Sequence, residues 1–153
     1  MINKKALSIS LLISLGVGAI SGILTSNSME QYNSYTQPPL APPGFIFPIV
    51  WTILYNLMGI SSYIVYESDS EYRIPALMVY ALQLIFNFVW PILFFNLNMF
   101  LLAFIWLIIL WALILAMILL FYRVNKTAGL LQIPYLLWVT FAAYLNFMVY
   151  YLN

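Results

Sequence analysis

Gln83 and Asn87 stand four residues apart in an apolar stretch, and Trp90 and Phe94 continue the same helical face. An unpaired side-chain amide in hydrocarbon costs several kcal/mol, so this face must turn inward. The chemistry available there is directional hydrogen bonding. It either joins helices, at about 0.6–2 kcal/mol per contact, or fixes a ligand in an apolar pocket. Two further stretches carry aromatic stripes. Phe47, Trp51, Tyr55 and Met58 follow one another at spacings of four, four and three, and Trp138, Ala142, Leu145 and Asn146 share another face. Such stripes are more often packing than pockets. Their coincidence with an interior amide pair points to a flat, apolar, aromatic ligand, because planar rings stack on Trp and need little else.

The residue types that are missing narrow the chemistry. There is no Cys and no His, which removes disulfides, thiol redox chemistry, the usual zinc sites and the usual proximal haem ligand. The commonest general base near neutral pH is also absent. The five basic and four acidic residues all lie outside the apolar runs, which argues against a proton relay or an ion-coupled pump. Acid–base catalysis within the spans is excluded on the same ground. A net charge of +1 excludes an electrostatic nucleic-acid footprint.

Five runs must position these side chains: 6–25, 44–66, 74–95, 99–121 and 130–152. Each supplies the ~20 apolar residues that carry a helix across a bilayer, and backbone polar groups in lipid must be satisfied internally. The chain is 65% hydrophobic and only 6% charged, so its surface as well as its core is apolar and lipid is its solvent. The expected fold is an all-α integral membrane protein, residues 1–153 forming a single bundle of five transmembrane helices. The first run is longer than the ~7–15 apolar residues of a signal core and reads as a retained span. Ser10, Ser14, Gly18 and Gly22 recur every fourth residue along it and suit close helix packing, within the bundle or between copies.

Lys4, Lys5, Arg73, Arg123 and Lys126 all fall on one side of such a bundle, which by the positive-inside rule places the N-terminus in the cytoplasm and the C-terminus and first loop outside. Three loops are short (67–73, 96–98 and 122–129). The first, 26–43, is long and holds Pro38–Pro39 and Pro42–Pro43, reading either as a connector or as a stiffened lid over the bundle mouth. Pro48, Pro75 and Pro134 lie near run starts, where a missing N–H costs little. Pro91 lies deep in the third run, where it is expected to kink the helix and free the carbonyl of Asn87. An odd span count and the lack of an internal repeat disfavour an inverted-repeat transporter.

The segment APPGFIFPIVWTILYNLMG, 41–59, resembles the signature of the translocator protein / tryptophan-rich sensory protein family, which includes the peripheral benzodiazepine receptor. The matching positions are Pro42–Pro43, Phe45, Pro48, Val50–Trp51–Thr52, Leu54–Tyr55 and Met58–Gly59. QLIFNFVWPILFF, 83–95, and PYLLWVTFAAYLN, 134–146, resemble that family's third and fifth helices. The resemblance implies a bacterial member, a homodimer of five-helix bundles, and a pocket closed by the first loop that takes porphyrins, sterols or synthetic aromatic drugs of the benzodiazepine-receptor type. It carries over Trp51 and Trp138 as tryptophans implicated in porphyrin chemistry, Tyr32 as a lid position, and Asn87, Trp90 and Ala142 as pocket lining. Together with the stripes, the candidate ligand contacts are Tyr32, Pro42, Phe47, Trp51, Tyr55, Gln83, Asn87, Trp90, Trp138, Ala142 and Asn146.

The resemblance further implies light- and oxygen-dependent breakdown of protoporphyrin IX by some members. Trp51 and Trp138 would then be the catalytic pair, with an indole donating an electron to the excited pigment or trapping an oxidant. No metal and no resident cofactor are expected; a porphyrin is ligand or substrate, and the missing His favours a metal-free ring. Facilitated tetrapyrrole export and a ligand-responsive stress sensor are the alternative roles. The weak sterol motif, Leu/Val, then Tyr, then Lys/Arg, lacks its basic residue at Tyr150–Asn153, which argues against sterol binding.

Overall fold

The computed structural model describes residues 1–153 and is helical throughout, without strands. Five long helices are apolar and long enough to cross a membrane. The elements are α1 (Lys4–Thr25), α2 (Met29–Asn33), α3 (Ile46–Tyr66), α4 (Arg73–Pro91), α5 (Phe100–Val124), α6 (Lys126–Leu130) and α7 (Ile133–Leu152). In the ring they form, α1 packs on α3 and α4, α4 on α5, and α5 on α7. Between α3 and α7 the backbones stay apart and side chains alone close the ring. The expected five-span bundle is therefore present.

Local sequence sets the ends. The Asn3 side chain accepts from Ala6 N at 3.1 Å and caps α1, satisfying one of the donors that a helix start leaves free. Asn125 does the same for α6, accepting from Ala128 N at 3.2 Å. The stretch 122–129 is consequently not a loop. α5 runs on to Val124, and α6 restarts after the single extended residue Asn125. Gly129 allows the tight corner that results, since a Cβ there would fall 2.7 Å from Tyr122 Cα.

Pro91 acts differently from a simple kink. α4 ends on it, and the chain continues as a π-turn, Ile92–Asn96, with Leu97 N bonded five residues back to Ile92 O at 3.0 Å. Widening the turn accommodates the missing N–H without breaking the rod. Two of the four small residues of α1 face inward: Ser14 is fully buried, and a Cβ on Gly18 would collide with the Tyr55 ring, whereas Ser10 is half-buried and Gly22 exposed. Their spacing thus serves the α1–α3 contact.

Candidate ligand-binding site

Midway along the bundle, three helices share a directional chain of hydrogen bonds. Tyr55 on α3 donates its hydroxyl to Asn87 Oδ1 on α4 at 2.5 Å. Asn87 Nδ2 donates to the Tyr135 hydroxyl on α7 at 2.7 Å, and Tyr135 donates in turn to Gln83 Oε1 at 2.7 Å. All four side chains are buried. Every hydroxyl proton and both Asn87 polar atoms are engaged, as burial in a medium without water demands. Two N–H donors here, Gln83 Nε2 and Trp138 Nε1, are buried without a partner, as is the Gln132 amide at the start of α7.

The tryptophans surround this chain. Trp51 stacks on Tyr55 with ring centroids 5.6 Å apart and meets the Tyr135 ring edge-on at 6.3 Å. Trp138 lies one turn beyond Tyr135 on α7 and contacts Phe47 across the α3–α7 gap at 5.9 Å. Both indoles pack on the main apolar core rather than standing free in the membrane. Outside them, a lateral cleft of about 370 Å³ opens between Val50 and Leu54 on α3 and Pro134, Trp138 and Phe141 on α7. That is near the small end of ligand pockets.

Nearer the end of the bundle opposite the basic residues lies a second layer. Trp90 donates its indole N–H to Asn146 Oδ1 at 3.0 Å, and Asn146 Nδ2 donates to the Phe100 carbonyl at 2.9 Å. Trp90 stacks on Phe94 at 5.4 Å. Tyr32, on α2, roofs this layer, 5.7 Å from the Phe94 ring and 5.2 Å from Phe95.

The first loop is thus a folded cover. Tyr35 donates to Asn98 Oδ1 at 2.9 Å, and Ser28 to Asn96 Oδ1 at 2.7 Å. Thr36 and Asn153 bond reciprocally, both at 3.1 Å. These polar anchors, part-buried at Tyr35 and exposed elsewhere, are worth about 0.5–1.5 kcal/mol each, and the Tyr35 ring packs edge-on against Phe100 at 5.3 Å beside them.

Residues 9–152 match the TspO/MBR family. The chain belongs to this family. It is 36% identical to the tryptophan-rich protein TspO of Chlorobaculum tepidum over 99% of both chains. It is 34% identical to the tryptophan-rich sensory protein of Cereibacter sphaeroides, over 97% of this chain and 92% of that one. The translocator protein of Homo sapiens is 30% identical over 95% and 88%.

The TspO/MBR chain sorts its candidate residues into three places. Tyr55, Gln83 and Asn87 join in the central hydrogen-bond chain, with Trp51 stacked on its Tyr55 end. Phe47 and Trp138 meet across the α3–α7 gap. Trp90 and Asn146 form the upper layer under Tyr32. Ala142 is buried in the core and Pro42 half-buried at the start of the descent into α3. Asn146 spends both polar atoms on Trp90 and Phe100, so its role is bracing. Tyr135, the hub of the central chain, was not among the candidates. Its signal was present, because it precedes Trp138 by three and Ala142 by seven on one helical face. Trp106 and Trp111 also take structural posts, donating to Phe86 O at 2.9 Å and Thr140 Oγ1 at 2.8 Å.

Because the reciprocal Thr36–Asn153 bonds are exposed and tie the cover to the C-terminus, Asn153→Ala is expected to accelerate both association and release of any ligand held beneath the cover while changing the equilibrium constant little. Stopped-flow quenching of Trp fluorescence by protoporphyrin measures both rates. Unchanged rates would mean that the cover does not gate access.

Proposed function

We propose that this protein binds flat, largely apolar tetrapyrroles, protoporphyrin IX above all, among Trp51, Trp90 and Trp138 beneath the first-loop cover. The observation that carries the reading is the pair of buried, partnerless donors, Gln83 Nε2 and Trp138 Nε1, in a half of the bundle otherwise walled by aromatic rings. A buried unpaired donor calls for a partner. A ligand that brings an acceptor on an apolar frame supplies one, and the indoles supply stacking surface. Entry requires the cover or the α3–α7 gap to open, since side chains fill the centre.

Illumination of the bound pigment in the presence of oxygen would place an excited ring against Trp51 and Trp138, whose indoles are the oxidisable groups nearest at hand. Loss of the pigment is then a photo-oxidation, with dioxygen as oxidant and no Asp, Glu, His, Lys or Arg within the apolar runs. Family membership supports the tetrapyrrole reading; a homodimer in a bacterial cell membrane is part of the same proposal. The clustering of basic residues at one end supports a cytoplasmic N-terminus, with the cover facing out. Spectral titration of the purified protein with metal-free protoporphyrin and with haem, side by side, is the test. Saturable binding that favours the metal-free ring is expected, because no His is present to ligate iron. Equal or absent binding of both would overturn the assignment.

A further inference from the structure

A different cleft, of about 530 Å³, separates α1 from α4 near the end that carries the basic residues. α1 packs chiefly on α3, which leaves its flank towards α4 open. Lys5 and Asn3 stand at the mouth of this cleft, and Ile9, Ile13, Leu77 and Leu84 form its walls. Ile9 and Ile13 are about half exposed, so the cleft faces the membrane rather than the bundle interior. Its lining also includes four hydroxyl residues, Ser10, Ser62, Tyr66 and Tyr80. Tyr80 is only 6% exposed, and its hydroxyl makes no well-formed hydrogen bond, with only the Ser62 and Ser14 hydroxyls beside it.

Two independent features therefore call for the same occupant. A cation at the mouth attracts an anionic headgroup, and basic pockets between membrane helices on the cytoplasmic side are suited to anionic lipid heads. A buried hydroxyl in a medium without water needs an acceptor, which the phosphate or ester oxygens of a lipid bring. The distances fit. From Lys5 to Ile13 the cleft runs ~12 Å along α1 at 1.5 Å per residue, enough for a headgroup and the upper part of one acyl chain. Glu67, one of three acidic residues in the loop at this end with Asp69 and Glu71, accepts from the Asn3 amide at 3.3 Å; none of the three lines the cleft.

We propose that the α1–α4 cleft is a binding site for a bilayer phospholipid with an anionic headgroup, its head at Lys5, its ester region at Tyr80 and one chain between α1 and α4. The site is separate from the proposed tetrapyrrole site and does not depend on its ligand.

The full chain, reconstituted in vesicles of equal parts phosphatidylcholine and phosphatidylglycerol and extracted in mild detergent, provides the test, with retained lipid read by native mass spectrometry. One phosphatidylglycerol per chain is expected, preferred several-fold. Lys5→Gln removes the preference, whereas Lys4→Gln, outside the lining, keeps it. Ala81→Phe fills the cleft from an exposed position on α4 and abolishes retention of both lipids. Equal retention of the two lipids by the native protein would overturn the proposal, as would retention unaffected by Ala81→Phe. A changed oligomeric state in Ala81→Phe with lipid retention intact would mark a protein–protein seam and overturn it too.

Discussion

Trp51→Phe combined with Trp138→Phe is expected to leave the bundle folded, weaken protoporphyrin binding roughly tenfold, and suppress light-driven loss of the Soret band. Phenyl keeps the apolar contact to Tyr55 and Phe47 but gives up part of the stacking surface. Aromatic contacts of this kind are worth about 0.5–1.5 kcal/mol beyond area, so two weakened contacts approach the 1.4 kcal/mol of a tenfold change. The photochemical effect should exceed the binding effect, because phenyl is far harder to oxidise than indole. Measured at saturating porphyrin, bleaching isolates that part. Trp111→Phe is the control: its indole is bonded to Thr140 on the α5–α7 contact, away from the chamber. If the double variant bleaches the pigment at the native rate, Trp51 and Trp138 are not the reacting groups.

Asn87→Leu carries the largest expected stability effect, a loss of about 1–3 kcal/mol, the cost of a buried hydroxyl left without an acceptor. The geometry identifies which hydroxyl suffers. Tyr135 still donates to Gln83, whereas Tyr55 loses the acceptor it has. Adding Tyr55→Phe to Asn87→Leu should therefore recover most of the loss, an interaction between neighbours that a double-mutant cycle detects. Denaturation in mixed dodecyl sulfate micelles, followed by circular dichroism, measures all three variants. Additive losses would show that the two groups do not depend on one another. Hydrogen bonds between membrane helices average only about 0.6 kcal/mol when the unfolded state finds other partners, which sets the lower bound.

The hydrogen-bond chain also shows how far one-dimensional reading reaches. The Gln83–Asn87 spacing required an inward face, and both residues are buried there. Pairing them to Tyr55 and Tyr135 requires knowing that α4 faces the α3–α7 gap across the bundle, within reach of both, a fact of ring order rather than of any helix. Pro91 illustrates the same limit. Loss of its N–H is certain from its type, but whether the chain kinks or widens into a π-turn depends on what Trp106, Phe94 and Tyr32 pack against. The stretch 122–129 looked like a loop because its charged and polar residues end the apolar run. Asn125 caps a new helix instead, and Gly129 lets it turn tightly over Tyr122.

Composition and periodicity alone required five helices long and apolar enough to cross a membrane, apolar runs without Asp, Glu, His, Lys or Arg, and an inward face for the Gln83–Asn87 pair. These follow from single-helix physics: apolar length against bilayer thickness, the cost of a charge or unpaired amide in hydrocarbon, and the 3.6-residue repeat. Tertiary structure alone decided which polar atoms are consumed and which are spare. That Asn146 and Asn87 are fully paired while Gln83 Nε2, Trp138 Nε1 and the Tyr80 hydroxyl are not depends on distances between helices. Backbone separation across the α3–α7 gap and the α1–α4 cleft is set by how five helices share one core, and no local pattern encodes it.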